Sequence, residues 1–162
     1  MHLGHLSVIH YILEEFSELV IVIGSAQISH ELNNPLTAGE RIEMLRLALN
    51  EVGIDSKRIF VVPVSDVDAH GLWVGLVKSS CPTFDVIFSN EPLTRRLFKE
   101  SGYDVRASPF FKRELYSATE VRRRMLKGEN WEELVPKSVA RFLKKIDCVA
   151  RIRELTKKDV VP

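Results

Sequence analysis

Apolar residues recur at helical spacing from Leu6 through Ile9, Ile12 and Leu13 to Phe16, which predicts a helix with one buried face, ended by Ser17 and Glu18. The pattern then changes character. Leu19-Val20-Ile21-Val22-Ile23 is an unbroken, mostly β-branched run closed by Gly24, and it suits a strand buried on both faces of a parallel sheet. After a polar loop through Pro35, Thr37 with Glu40 reads as a capping box for a helix running to about Asn50. The strand-then-helix order repeats. A strand from Ile59 to Val64, with Pro63 near its end, precedes a helix around Leu72 to Lys78. A strand from Phe84 to Phe88 precedes a short helix from Leu93 to Glu100, ended by Gly102, and Tyr103 to Ala107 forms a last short strand. Beyond it the pattern is helical at Thr119 to Lys127, Val139 to Ile146 and Ile152 to Thr156.

Strands alternating with helices through short connections predict an α/β fold, a doubly wound parallel sheet with a helical C-terminal third. Such sheets bind ligands at the carboxyl ends of their strands. The 162 residues fit one domain, 1–162, without internal repeat or linker. The chain nevertheless opens on a helix, so its first right-handed crossover lacks a strand. Charge narrows the partners: 23 basic against 22 acidic side chains, a formal net charge of +1, support neither nucleic acid nor a membrane surface. No apolar run reaches the ~18 residues of a membrane span, and no secretory leader pattern opens the chain. Cys81 and Cys148 lie far apart, lack metal-ligand spacing, and read as free thiols in a reducing cytoplasm.

Candidate chemistry sits toward the two ends of this pattern. His2-Leu3-Gly4-His5 places two imidazoles at a helix start, where unpaired N–H groups and the helix dipole favour an anion, and Gly4 lets phosphates approach the backbone. A solvated histidine pair is the plain alternative. Tyr116-Ser117-Ala118-Thr119-Glu120-Val121-Arg122 joins hydroxyls and an arginine at another helix start. It is either an N-cap serine ahead of a solvated basic face, Arg122 to Arg124, or an anion clamp for a polyphosphate. Together the two motifs suit adenylyl or cytidylyl transfer.

Along these motifs and the stretch between them the chain resembles the archaeal type of nicotinamide-nucleotide adenylyltransferase, within the HxGH nucleotidyltransferase superfamily. The resemblance runs from His2 to about Leu155, through Gly24 to His30, Asn34 to Ile42, Leu72-Trp73-Val74, Pro82 to Asp85, Pro92-Leu93, Tyr116 to Met125 and Leu134-Val135-Pro136. It implies a Rossmann-like fold and transfer of AMP from ATP to nicotinamide mononucleotide (NMN), with Mg2+, giving NAD and pyrophosphate. Such catalysis is positioning and charge stabilisation of an in-line attack, without a protein nucleophile. The resemblance assigns His2 and His5, with Gly4, to the triphosphate, and Arg122 with Ser117 and Thr119 to the departing pyrophosphate. Arg41 becomes a further phosphate candidate, although composition alone favours a surface arginine paired with a carboxylate. Trp73 would stack on the nicotinamide ring, although periodicity alone places it in the core. Ser25 would border the same substrate, and Ser89-Asn90 the adenosine at a strand end. The resemblance also implies a cytoplasmic homo-oligomer. An adenylyltransferase for another phosphorylated acceptor, and a non-catalytic nucleotide-binding or assembly subunit, are the competing readings.

The chain departs from that family at several places. Ser89-Asn90-Glu91-Pro92 stands where relatives commonly have Ser-Gly-Asn-Pro, and Ala118 where they have glycine. His70 stands where they often have Asn, three residues before the tryptophan, which bears on recognition of the carboxamide. Relatives also carry a strand and a Gly-Arg-Phe-Gln-Pro-Phe-like turn ahead of the first histidine. Without that strand, each orphaned buried backbone group costs about 1–3 kcal/mol, against a net domain stability of roughly 5–15 kcal/mol. The expectation is an N-terminally truncated or mis-assigned start, with the natural one about a dozen residues upstream. If Met1 is the true start, the expectation is a destabilised protein with little transferase activity.

Overall fold

A computed structural model of the chain describes residues 1–109, 111–112 and 114–157. Helix α1 (Leu3–Glu15) leads into β1 (Leu19–Ile23), α2 (Ala38–Glu51) and β2 (Ile59–Pro63). Then come α3 (Trp73–Ser80), β3 (Val86–Phe88), α4 (Pro92–Glu100) and β4 (Asp104–Arg106). Helices α5 (Ala118–Lys127), α6 (Lys137–Lys145) and α7 (Cys148–Glu154) form the C-terminal third. Among the described residues no helix is long and apolar enough to cross a membrane.

The capping box of α2 is present: Thr37 Oγ1 accepts from Glu40 N at 3.1 Å and Glu40 Oε2 from Thr37 N at 2.9 Å. Several boundaries differ from the sequence pattern, each for a local reason. Helix α4 takes in Pro92 because the Glu91 carboxylate caps it, accepting from the N–H groups of Leu93 and Thr94. Helix α6 starts at Lys137, ahead of Val139, because Glu51 at the end of α2 accepts from the N–H groups of Lys137 and Ser138. Helix α7 begins at Cys148, not Ile152, after Asp147 turns the chain at φ 51°. Phe84 stays out of β3, where its ring stacks on Tyr103 at 5.1 Å.

β1 and β2 pair in parallel from Leu19 opposite Ile59 to Ile23 opposite Pro63, and β3 and β4 from Val86 opposite Asp104 to Phe88 opposite Arg106. The expected single sheet is thus corrected to two two-stranded ladders among the described residues. The inner edges, β1 and β3, share no ladder; a groove of 1090 Å³ runs between them, lined by every residue of both strands. Successive strand residues face opposite ways, so a cavity touching all of them lies along the strand edges and not over one face. That alternation also feeds two cores. Leu19, Ile21, Ile59 and Val61 pack with α1, α2 and α5 to α7, whereas Val22, Val62 and Ile87 pack with α3, α4 and β4. Helices on both faces of parallel strands make the doubly wound α/β architecture that the pattern predicts.

Candidate active site at the strand ends

His2 is the extended N-cap of α1 and is buried, and its ring stacks on that of His5 with centroids 3.7 Å apart. The backbone N–H of His2 donates to His5 Nδ1 at 3.3 Å, which leaves the His5 proton on Nε2. His2 Nδ1 is buried without a hydrogen-bond partner among the described residues. Burial, followed by the positive amino terminus, brings the His2 pKa down to about 4. His5 opens onto the groove, where solvent reaches it, while protein crowds its other sides. That desolvation, then His2, then the amino terminus hold its pKa well below the ordinary value. Near neutral pH both imidazoles are therefore neutral N–H donors. A Cβ on Gly4 would stand 3.0 Å from Tyr116 Cβ and 3.1 Å from His2 Nδ1, so glycine is what lets α1 approach the segment leading into α5.

Tyr116, Ser117 and Ala118 line the groove beside this pair. Ser117 caps α5, its Oγ accepting from Glu120 N at 3.1 Å. The three consecutive arginines of α5 diverge. Arg123 bonds Glu120 and Glu129, and Arg124 bonds Glu120, Glu133 and the carbonyl of Asn130. The Arg123 and then Arg124 guanidinium groups hold the Glu120 carboxyl at about 2. Arg122 makes no ion pair among the described residues, and burial lowers its pKa.

Arg41 lines the groove, but its Nη1 and Nη2 donate to the carbonyls of Gly24 and Ser25, each at 2.8 Å, and its Nε is buried without a partner. It is paired with backbone carbonyls and not with a helix-surface carboxylate. Trp73 lines the groove at the start of α3 and also packs on the smaller core, as its periodicity suggests. Ser89 and Asn90 line it past β3, but their side chains are engaged. Ser89 Oγ accepts from Glu91 N, and Asn90 donates from Nδ2 to Ser108 O at 2.8 Å while its Oδ1 accepts from Ser108 N at 3.1 Å.

The groove thus gathers His2, Gly4, His5, Arg41, Trp73, Ser89, Asn90 and Ser117, while Ser25, His70, Thr119 and Arg122 stand outside its lining. Asp66 escaped notice in the sequence. It accepts from Ser25 N at 3.2 Å, and its one sequence signal is a carboxylate just past the end of an apolar strand.

Residues 1–124 match the cytidylyltransferase-like family. A nicotinamide-nucleotide adenylyltransferase of Methanosarcina acetivorans is 51% identical over 158 residues, covering 98% of this chain and 90% of its own. Those of Archaeoglobus fulgidus and Pyrococcus furiosus are 46% and 47% identical, over 98% and 96% of this chain and 92% and 83% of theirs. A bifunctional NMN adenylyltransferase/ADP ribose pyrophosphatase from Francisella tularensis shares the fold, with a TM-score of 0.74 at 22% identity over 95% of this chain and 48% of that one. This chain spans about half the length of that bacterial protein. With histidines, glycine and capped helix starts meeting at the strand ends of such a fold, the chain belongs to the nicotinamide-nucleotide adenylyltransferase family of cytidylyltransferase-like proteins.

Proposed function

We propose that this chain transfers the AMP moiety of ATP to the phosphate of NMN, forming NAD and releasing pyrophosphate. The observation that carries this reading is the meeting, around one groove, of the neutral His2–His5 pair, the capped start of α5 and Trp73, in a chain whose relatives bear that name. A phosphate oxygen of NMN attacks the α-phosphorus of ATP, and the bond to the β-phosphate oxygen breaks as the new P–O bond forms. His2 and His5 donate N–H groups to the triphosphate, and the starts of α1 and α5 add backbone N–H groups. Arg122 and Thr119, on the first turns of α5 and outside the groove lining, would turn toward the leaving pyrophosphate once ATP is bound. The Trp73 face accepts the cationic nicotinamide ring, with Ser25 and His70 at its border, and Ser89 and Asn90 border the adenosine.

The carboxylates that line the groove, Glu18 and Asp85, precede β1 and β3 and stand at the far end from the strand termini that carry the site. The residues present therefore fit Mg2+ that would arrive with ATP and would supply charge neutralisation for the leaving group. A cytoplasmic homo-oligomer completes the reading, on the strength of the family resemblance. Purified chain incubated with ATP and NMN should form NAD and pyrophosphate in equal amounts. Binding of ATP without turnover, or turnover only when phosphopantetheine replaces NMN, would overturn the assignment.

A further inference from the structure

Ser25 holds φ at 50°, a left-handed conformation that is costly for serine and persists only where surrounding contacts enforce it. Those contacts come from two sides. From α2, Arg41 donates to the carbonyls of Gly24 and Ser25. From the turn after β2, Asp66 Oδ1 accepts from Ser25 N at 3.2 Å and Oδ2 from Gln27 Nε2 at 3.4 Å, while Gln27 Oε1 accepts from Asp66 N at 3.0 Å. Ala26 N donates to Val64 O at 3.1 Å, which carries the β1–β2 connection past the strand ends. The group so held is Gly24, where a Cβ would stand 3.9 Å from Trp73 Cη2.

We propose that Asp66, Gln27 and Arg41 are positioning residues that fix the Gly24–Ser25 turn as a wall beside the Trp73 ring and thereby set affinity for the acceptor nucleotide. This rests on the function proposed above. Asp66 and Gln27 act through the turn: their side chains bond each other and Ser25, and neither lines the groove.

The reciprocal bonds allow an exchange test. Asp66→Asn turns an amide NH2 against that of Gln27, and Gln27→Glu sets two carboxylates face to face. The double variant Q27E/D66N restores the side-chain pair with donor and acceptor exchanged, while a side-chain oxygen at each position still accepts from the backbone N–H groups of Ser25 and residue 66, at unchanged net charge. Each single variant should raise KM for NMN about three- to tenfold, the scale of one net hydrogen bond, leaving kcat and KM for ATP within about twofold. The double variant should return KM for NMN to within about twofold of the parent. A double variant as impaired as the worse single one, or a parallel rise in KM for ATP, would overturn the proposal. Amide hydrogen exchange at Ser25 in the free protein reads the same bonds without turnover: faster in both single variants, restored in the double. Equal protection in all four proteins would also overturn it. If the parent chain makes no NAD, the functional assignment fails while the exchange cycle still decides whether these bonds hold the turn.

Discussion

The two cores on either side of the strands are held by different means. The one beneath α1, α2 and α5 to α7 is a continuous, mostly aliphatic cluster that also buries Trp131 and in which Ala48, Leu134 and Val139 have 0% exposure. Its helices are cross-linked by the Arg151–Glu40 pair at 2.7 Å and by Glu51 capping α6. The core beneath α3 and α4 is smaller, burying Val64, Val74, Val77, Val105 and Phe98, with the partly buried rings of Phe84 and Tyr103 packed on Phe98, and the loops above it are held by the Asn90 amide on Ser108. His2, Gly4, His5, Arg41 and Ser117 belong to elements of the large core, whereas Trp73, Ser89 and Asn90 belong to those of the small one. The end proposed to hold the phosphates thus rests on deep packing, and the end proposed to hold the nucleosides on shallower packing and on side-chain-to-backbone clamps.

Truncation within each core tests that contrast most strongly. Leu134→Ala, at a fully buried position, should cost about 2–5 kcal/mol by denaturant unfolding. Val105→Ala, at 9% exposure in the small core, should cost about 1–2 kcal/mol for the two methyl groups lost. Equal losses would erase the distinction. Next in size is Gly4→Ala, where the new methyl meets Tyr116 and the His2 ring. A displacement of about 1 Å there should cut kcat on the order of a hundredfold, with helix content by circular dichroism unchanged. Asn90→Ala comes third, because it removes both bonds to Ser108. Stability should fall by roughly 1–2 kcal/mol, and amide exchange should quicken in the β3 and β4 loops while α6 and α7 keep their protection.

The sequence pattern located elements whose causes are local and missed those whose causes are distant. β1 was legible because all five of its positions are apolar, and α2 because its cap and its reciprocal partner are three residues apart. The start of α6 was not, since Glu51, which caps it, lies 86 residues from Lys137. Phe84 reads as strand by composition, yet its ring is claimed by Tyr103 from the next strand segment. The site divides in the same way. His2, Gly4, His5 and Ser117 were visible as helix-start motifs and Trp73 through the family resemblance, and all of them line the groove. How Arg41 uses its guanidinium, how Asn90 spends its amide and why Asp66 matters depend on turns brought together from separate strands, which no spacing along the chain encodes.

An effect of pH, and not of packing, follows from the acid side of the large core. His2 titrates near 4 in the folded protein against an ordinary 6.5, because burial penalises its cation. Between these values the unfolded chain binds a proton that the folded chain does not, so the stabilisation is complete above about 6.5 and is lost as pH falls toward 4. Glu120, held at about 2 by Arg123 and Arg124, and Glu40, held low first by Arg151, keep their full stabilisation above the ordinary carboxylate value of 4.5 and lose it only below. The two windows are therefore separable. Denaturant unfolding from pH 7.5 to 3 should show stability declining with acid, and His2→Asn, which keeps a good N-cap residue, should make the decline above pH 4.5 shallower by the share of His2, leaving that of His5 and the buried amino terminus, without changing the loss at lower pH. An unchanged slope in the variant would mean that His2 carries its proton as readily folded as unfolded, and that the start of α1 is no drier than the loops over the small core.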